Sequence, residues 1–492
     1  MPENASRWFD PDWYLQQYPD IAQAGLEPLQ HYLNHGVKEG RLPCRLASLE
    51  WDQALWQQEQ AEADCVQALT RLAASENPLE ASYAAFALGR WHGWQDNWQE
   101  AARVLVARSQ QPPRLPAHHG PDLLAVEALT RSGQLAGAWR RLLPLQQAEP
   151  EHADVCLAVA NLLGAQVQQF EAAPAPVKQA WQNQRLGWIN RVWRQAGLEP
   201  AQQAGSDQPL TIDNLAAPQP VPALTVEPDD RPLVSVIIPA YNAESGLRTA
   251  LNSLVGQTLA RAFPGAVEVV VVNDASTDNT AAIADAFAWQ NPDVRVIHQT
   301  ENSGAYAARN RGLAEARGQC ITVHDADDWS HPRKLEAQWQ ALQEHPQWMA
   351  CNSHWVRCTP DLQFSRWRME EGWVYRNTSS LMFRRQVFET LGYWDEVRVE
   401  ADTEYYYRIR AAFGAQATGE VLPGVPLAFG RVVPTALTVL PKTHLITQFK
   451  GVRADYRKAA FAWHEQAAGA EQLYMHRNTK NRPFEAPVGI LR

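Results

Sequence analysis

Three aspartates stand close together in the sequence, at Asp325, Asp327 and Asp328. The run before them, residues 319–323, is uncharged and rich in β-branched side chains, which predicts a short buried strand. Carboxylates this close repel one another and raise each other's pKa unless a cation lies between them. Because hard oxygen ligands suit Mg²⁺ and Mn²⁺, the cluster predicts a divalent-metal site. The alternative is that Asp327 or Asp328 caps the helix predicted to begin near Pro332.

Alternating strand and helix patterns over residues 232–420 are expected to position this cluster. Four apolar runs predict buried strands at residues 233–239, 267–274, 294–297 and 319–323. Helical patterns separate these runs, and the alternation predicts an α/β domain with a mostly parallel sheet and right-handed crossovers. Open sheets of this kind bind ligands at the carboxyl ends of their strands, where the aspartate cluster is predicted to lie.

Polar side chains follow every one of these predicted strands. The four sets are Pro239, Tyr241 and Asn242; Asn273 and Asp274; the run 302–310 with Gly304 and Arg309; and the aspartate cluster. This series resembles the inverting family 2 glycosyltransferases, whose catalytic domain has the Rossmann-like GT-A fold for nucleotide-diphospho-sugars. The resemblance covers residues 232–420, and four motifs in the same order make it specific.

The resemblance implies a role for each of these side chains. It implies a nucleotide-diphosphate sugar as donor, with a UDP-type donor favoured, and Mg²⁺ or Mn²⁺ as the cofactor that neutralises the leaving diphosphate. The implied substrate-binding residues are Pro239, Tyr241, Asn242 and Asp274 at the nucleoside, Gly304 where the backbone approaches the substrate, Arg309 at the diphosphate or an aspartate of the cluster, and Asp325 at the ribose or sugar. Asp327 is the implied metal ligand, and Asp328 is interpreted as a helix cap. Asp274 has a second interpretation as a turn residue.

Inversion at the anomeric carbon requires a base that takes the proton of the acceptor hydroxyl. In the family that this chain resembles, the base belongs to a Glu-Asp pair at the start of a helix, and Asp402 falls on its position. The preceding residue is Ala401 instead of the usual Glu, so Glu400 and Glu404 stay open as alternatives. A structural role is also open, since the helix dipole stabilises a carboxylate at a helix N-terminus. Residues 377–380 are expected near the sugar on the acceptor side.

The rest of the chain divides by composition. The predicted regions are a short aromatic module at 1–45, an all-helical, tetratricopeptide-like region at 46–197, a proline-rich linker at 198–231, and a C-terminal extension at 421–492 that packs on the transferase domain. Small residues such as Gly89 let two antiparallel helices approach closely. The helical region is interpreted either as a scaffold for a protein partner or as a packing block. His444 and His464 are candidate contacts for the metal or the diphosphate.

Composition excludes several classes of protein. A formal net charge of −10 gives no basic footprint, so nucleic acid is not an expected partner. The chain has no apolar run of about 18 residues, and its start lacks a signal-peptide pattern. Its six cysteines show no Cys-x-x-Cys spacing. We therefore expect a cytoplasmic protein without a transmembrane segment, with peripheral attachment to the inner membrane face as an alternative.

The leading hypothesis is a metal-dependent inverting glycosyltransferase that acts on a glycan or lipid-linked acceptor in surface polysaccharide biosynthesis. One alternative is a nucleotidyltransferase, which also uses carboxylates at strand ends and a metal. The residues after the first predicted strand do not form the Gly-rich triphosphate loop that such enzymes carry. The other alternative is an inactive transferase-like scaffold that recruits partners through its helical region.

Overall fold

The computed structural model describes residues 7–108, 114–205, 208–216, 218, 232–433, 438, 440–477 and 482–491. The chain forms two compact units. The first comprises Met1–Pro174 together with Arg366–Trp373, and the second comprises Ala175–Ser365 and Val374–Arg492. In the described part of the chain, no helix is long and apolar enough to cross a bilayer.

The first unit begins with short helices packed through tyrosines. These helices are α1 (Pro11–Gln17), α2 (Pro19–Gln23) and α3 (Pro28–His31). Asp10 accepts a hydrogen bond from the backbone N–H of Trp13 at the start of α1, and Pro11 takes the first helical position. Tyr14 is fully buried, and its hydroxyl lies 3.0 Å from Nδ1 of His31. The predicted aromatic module thus has a small core of its own.

Longer helices joined by short turns build the rest of the first unit. They are α4 (Ala47–Gln57), α5 (Glu62–Ala73), α6 (Pro78–Trp94), α7 (Trp98–Ala107), α8 (Gly120–Arg131), α9 (Leu135–Ala148) and α10 (Ala153–Gln169). A Cβ on Gly89 would lie 2.6 Å from Cγ of Leu105, so α6 and α7 approach at a distance that only glycine allows here. The segment at 366–373 belongs to this unit, where Trp373 donates hydrogen bonds to Glu127 and Asp154.

The second unit contains a ten-stranded sheet between two layers of helices. A separate two-stranded ribbon pairs β1 (Gln202–Gln203) with β2 (Leu215–Ala216). The strands of the large sheet are β3 (Val234–Ala240), β4 (Val267–Asn273), β5 (Val294–His298), β6 (Cys320–Val323), β7 (Trp329–Ser330), β8 (Ala350–Cys358), β9 (Phe364–Ser365), β10 (Tyr375–Arg376), β11 (Met382–Arg384) and β12 (Thr418–Arg431). The order is β5-β4-β3-β6-β11-β8-β12-β7, with β9 and β10 paired to β8. Strands β3 to β6 pair in parallel, which confirms the predicted Rossmann-like half of the sheet.

Alternation along the strands gives the sheet two buried faces. Val236 and Ile238 of β3 belong to one apolar cluster, whereas Ile237 belongs to another on the opposite face. The helices of this unit are α11 (Ala175–Gln195), α12 (Leu247–Val255), α13 (Thr258–Ala262), α14 (Thr280–Gln290), α15 (Ala305–Glu315), α16 (Lys334–Glu344), α17 (Arg385–Leu391), α18 (Ala401–Phe413) and α19 (Val452–Gln466). Side chains of α12 and α16 cover the first face, and side chains of α15, α17, α18 and α19 cover the second.

The end of the helical region and the first part of the predicted linker belong to the second unit. Trp193 of α11 stacks on Phe429 with ring centroids 5.4 Å apart, and its indole N–H donates to the carbonyl of Pro426. Glu199 accepts from Arg333 at 2.9 Å. The division between the two units therefore follows Pro174, whereas the sequence predicts it after residue 197. The aromatic and ionic contacts of Trp193 and Glu199 account for this difference. Residues 206, 207, 217 and 219–231 of the predicted linker lie outside the described residues.

Candidate active site

The loops after β3 and β4 are fastened to each other at the carboxyl edge of the sheet. Oδ1 of Asn242 accepts from the backbone N–H of Thr277 at 2.9 Å, and the backbone N–H of Asn242 donates to Oγ of Ser276 at 3.0 Å. Asn242 has a φ of 47°, a left-handed backbone that asparagine tolerates better than most residues. Tyr241 is 51% exposed beside it, and Pro239 is half-buried at the end of β3. Three of the predicted nucleoside residues thus share one rim.

Asp274 holds the start of helix α15. Its side chain is only 2% exposed and accepts from the backbone N–H groups of Ser303 at 2.7 Å and Gly304 at 2.6 Å, and also from the side-chain amide of Gln299. Gly304 has a φ of 89°, which L side chains rarely adopt. These contacts are of the kind expected for Asp274 as a turn residue. Its predicted contact with the nucleobase stays a prediction.

The N-terminal half of α15 connects two of the predicted functional carboxylates. The hydroxyl of Tyr306 donates to Oδ1 of Asp402 at 2.9 Å, and Arg309 donates to Oδ1 of Asp325 at 3.0 Å. The guanidinium of Arg309 lies 4.9 Å from the centroid of the Tyr306 ring, so the two side chains also contact each other. Burial, followed by the charge of Asp402, raises the pKa of Tyr306 well above its usual value, which keeps the hydroxyl protonated.

The aspartate cluster follows β6, and two of its carboxyl groups have raised pKa values. Burial and then the charge of Asp325 raise the pKa of Asp327 to about 6, although Arg431 and Arg357 oppose the rise. Burial and both neighbouring aspartates raise the pKa of Asp328 well above its usual value. In the described residues, no group of three or more His, Cys, Asp or Glu side chains is arranged to hold a metal by itself. A cation here would therefore share its coordination with phosphate oxygens or water.

Asp328 does not cap a helix, which corrects the interpretation made from the sequence. Helix α16 begins at Lys334, and its N-cap residue is Arg333 without a side-chain cap. Oδ1 of Asp328 instead accepts the backbone N–H of Arg431 at 2.9 Å, at the end of β12. The physical reason is that strand β7 intervenes between the cluster and α16, so the carboxylate meets a neighbouring strand and no helix terminus.

Arg431 is a site residue that the sequence did not indicate. Its Nε donates to the carbonyl of Asp327 at 2.9 Å, and its guanidinium forms an ion pair with Asp213. The arginine therefore ties the backbone of the cluster to a carboxylate in the predicted linker. No local pattern could have identified this contact, because Asp213 and Arg431 are far apart in the chain. Tyr306 did have a local signal, since it stands between Gly304 and Arg309 in the third motif.

The three candidates for the base have different surroundings. Glu404 is fully buried and pairs with Arg408 and with His464. Glu400 is also buried, pairs with Arg453 at 2.6 Å, and has a φ of 77°, a rare left-handed backbone for glutamate. Burial raises the pKa of Glu400, and its arginines oppose the rise.

Asp402 is half-buried and accepts hydrogen bonds from hydroxyl groups. Besides Tyr306, its donors include Oγ of Ser379 at 3.2 Å and the backbone N–H of Thr403 at 2.9 Å. Ser379 lies in the segment predicted for the acceptor side. These donors are neutral, whereas Glu400 and Glu404 each form an ion pair with a buried arginine. The surroundings therefore favour Asp402 over both alternatives.

The two C-terminal histidines make other contacts in the structure. Nε2 of His464 lies 2.9 Å from Oε1 of Glu404 in the interior between α18 and α19. Nδ1 of His444 accepts the backbone N–H of Ile446 and caps a short 3₁₀ turn. Burial lowers the pKa of His444. Their predicted contacts with a metal or diphosphate stay predictions.

Comparison with known proteins identifies the sheet-containing region. The family Glycosyl transferase family 2 matches residues 235–397. An uncharacterized glycosyltransferase of Escherichia coli, YibD, is 42% identical over 123 residues, which are 25% of this chain and 34% of YibD. The putative teichuronic acid biosynthesis glycosyltransferase TuaG of Bacillus subtilis is 35% identical over 114 residues, 23% of this chain and 43% of TuaG. The chain thus spans less than half the length of either relative.

A solved structure of S. aureus TarS with UDP-GlcNAc is 20% identical, with a TM-score of 0.34, and the match covers 48% of this chain and 73% of that chain. The family match contains strands β3 to β6, helix α15 and the whole aspartate cluster. It ends shortly before Asp402. Residues 235–397 of this chain therefore match the family Glycosyl transferase family 2. They carry the parallel, Rossmann-like strands β3 to β6, and an all-helical region precedes them.

Proposed function

We propose that the chain is an inverting glycosyltransferase that transfers a sugar from a nucleotide-diphosphate donor, with a UDP-type donor favoured. The observation that carries the proposal is the pair of contacts made by the N-terminal half of α15, Tyr306 with Asp402 and Arg309 with Asp325. This part of the helix thereby links a carboxylate suited to proton transfer with the aspartate motif. The family 2 domain supports the reaction class. The relative named for teichuronic acid biosynthesis supports a glycan or lipid-linked acceptor in surface polysaccharide biosynthesis.

In the proposed reaction, Asp402 takes the proton of the acceptor hydroxyl. The hydroxyl oxygen forms a bond to the anomeric carbon from the side opposite the diphosphate. The bond between that carbon and the diphosphate oxygen breaks, and the nucleoside diphosphate leaves with the electron pair. Tyr306 and Ser379 donate to the two oxygens of Asp402 and keep its carboxylate oriented. Attack from the opposite side accounts for inversion.

Asp327 is the proposed ligand of Mg²⁺ or Mn²⁺, with Asp325 at the ribose or sugar. A bound divalent cation neutralises the diphosphate as it leaves. The residues fit such an ion, because burial and then the charge of Asp325 raise the pKa of Asp327, and a cation between the two carboxylates would offset both effects. Arg309 is proposed to orient Asp325 and to meet the diphosphate. Pro239, Tyr241, Asn242, Asp274 and Gly304 are the proposed residues around the nucleoside and the donor.

A panel of nucleotide sugars tests this proposal on the full chain. Each donor is added with Mn²⁺ or with a chelator, and the melting temperature is measured. The true donor at 100 times its dissociation constant should stabilise the fold by about 2.7 kcal/mol, and only with the metal. Release of nucleoside diphosphate is then measured with the same donor.

The matched variants are Asp327→Asn and Asp64→Asn, because Asp64 is an exposed aspartate on α5 of the first unit. We expect the first variant to lose metal-dependent stabilisation and the second to keep it. Equal stabilisation of both variants would contradict the metal assignment. Release of pyrophosphate from a nucleoside triphosphate and a sugar phosphate would establish a nucleotidyltransferase instead.

A further inference from the structure

A basic groove lies among the helices of the first unit. Side chains of α7, α8 and α9 line a cavity of about 980 Å³, which lies within the size range of sites for small molecules and peptide side chains. Its lining includes Arg103, Arg114, Arg140 and Arg141, and the carboxylate of Asp122. We call this feature the arginine groove. The proposed glycosyl transfer does not use it.

Arg103 is paired with Glu100, and the remaining arginines of the arginine groove still outnumber its own carboxylate, Asp122. Asp122 lies 2.6 Å from Arg141, 3.7 Å from Arg114 and 3.8 Å from Arg108. One carboxylate is thus shared among three guanidinium groups. Burial lowers the pKa of Arg108 to about 10, and repulsion from Arg114 and Arg141 adds to this although Asp122 opposes it.

Arg141 has a buried hydrogen-bond donor, its Nε, without an acceptor among the described residues. Arg140, by contrast, is exposed at the mouth of the groove. Arginine presents its donors as a planar fork that matches carboxylates and phosphates. The groove therefore has the charge and the donors for at least one further anion.

Apolar side chains lie beside the arginines in the lining of the groove. Val106 is 51% exposed, and Leu129, Pro144 and Leu145 line the same cavity. The volume greatly exceeds that of a single inorganic anion. Among the described lining residues there is no aromatic ring, which sugar-binding sites use for stacking.

We propose that the arginine groove binds an acidic peptide segment of a partner protein. Carboxylates of the peptide pair with Arg114 and Arg140, and an apolar side chain of the peptide packs against Val106 and Leu145. The lining contains both arginines and apolar side chains, and such a peptide has a partner for each kind. The charge pairs set the orientation of the peptide, and burial of its apolar side chain supplies affinity. The helical region thereby recruits a partner through charge complementarity.

Fluorescence anisotropy with the full chain tests this proposal. The probe is a short fluorescein-labelled peptide of repeated Glu-Glu-Leu, and the reference is the same peptide with Lys in place of Glu. We expect the acidic peptide to bind, the basic peptide not to bind, and binding to weaken as salt is added. The double variant Arg114→Gln/Arg140→Gln should weaken binding at least tenfold. Its melting temperature should match the parent, since Arg141, which lies closest to Asp122, is retained.

The matched control is Arg71→Gln, an exposed arginine in the last turn of α5, which should leave peptide affinity unchanged. Equal binding of the acidic and basic peptides, or equal affinity in the double variant and the control, would overturn the proposal. Tight binding of tripolyphosphate or of phosphatidylglycerol vesicles through the same arginines, without peptide binding, would assign the groove to another anion and also overturn it. Nucleotide-sugar binding is measured in a separate assay. Its result does not change the interpretation of the peptide-binding experiment.

Discussion

Replacement of Asp402 by Asn should abolish most sugar transfer while leaving the fold and donor binding intact. The Asn amide has the size of the carboxylate but cannot take a proton. Its oxygen can still accept from Tyr306, and its NH₂ group can donate to Oγ of Ser379, which now lies 3.2 Å from the carboxylate. No buried polar atom is therefore left without a partner, and we expect a loss of folding stability below about 1 kcal/mol.

The expected loss of rate follows from the role of the base. General-base catalysis contributes about 10²–10⁴-fold, which corresponds to about 2.7–5.5 kcal/mol of transition-state stabilisation. The assay is release of nucleoside diphosphate from the donor identified in the panel, at saturating donor and Mn²⁺. Calorimetry with the nucleoside diphosphate and Mn²⁺ should give the same dissociation constant for parent and variant.

Glu404→Gln is the matched control, because it removes a carboxylate from the same helix. This change leaves Arg408 buried without its carboxylate partner, so we expect a loss of about 3–5 kcal/mol in folding stability. A fully active Asp402→Asn variant would refute the assignment and move it to Glu400. A variant that loses activity and donor binding equally would show a structural role for Asp402.

Three further predictions address the proposed metal ligand, Arg431 beside it, and the contribution of residues 175–231 to the stability of the second unit. Asp327→Asn should fold normally and lose activity even at saturating Mn²⁺, as one ligand charge is removed; turnover at the parent rate would contradict the metal assignment. Arg431→Gln should reduce activity at least tenfold and weaken Mn²⁺-dependent donor binding in calorimetry, because the carbonyl of Asp327 loses its donor. A fragment of residues 175–492 should melt at a higher temperature than a fragment of 232–492, because the shorter one lacks the aromatic and ionic contacts of α11 and the segment after it; equal melting temperatures would contradict this.

Local sequence determined the strands and the residues at their ends. The runs at 234–240 and 267–273 are buried on both faces of the sheet, and such strands read as continuous β-branched apolar stretches. The boundaries of β3 to β6 were predicted to within about one residue, because burial changes abruptly where polar residues begin. Asp325 and Asp327 were placed correctly after β6 for the same reason. The sequence did not predict β8 and β12.

Tertiary structure decided which of those residues meet. Aspartate is a residue type favoured at helix N-caps. Asp328 nevertheless accepts a hydrogen bond from the backbone of Arg431, more than a hundred residues away. The local sequence could not predict this, since β12 and β7 are far apart in the chain and are neighbours only in the folded sheet.

The candidate site likewise combines features that local sequence predicts with contacts that only the fold produces. Spacing alone places Gly304 just before the first turn of a helix and Arg309 just after it, because helical periodicity is a local property. That Tyr306 of this turn donates to Asp402 depends on how α18 packs against the second face of the sheet. Hydrophobic periodicity therefore determined the elements and their polar ends, whereas long-range packing alone selected the partners of each carboxylate. Those partners are the reason that we propose Asp402 as the base.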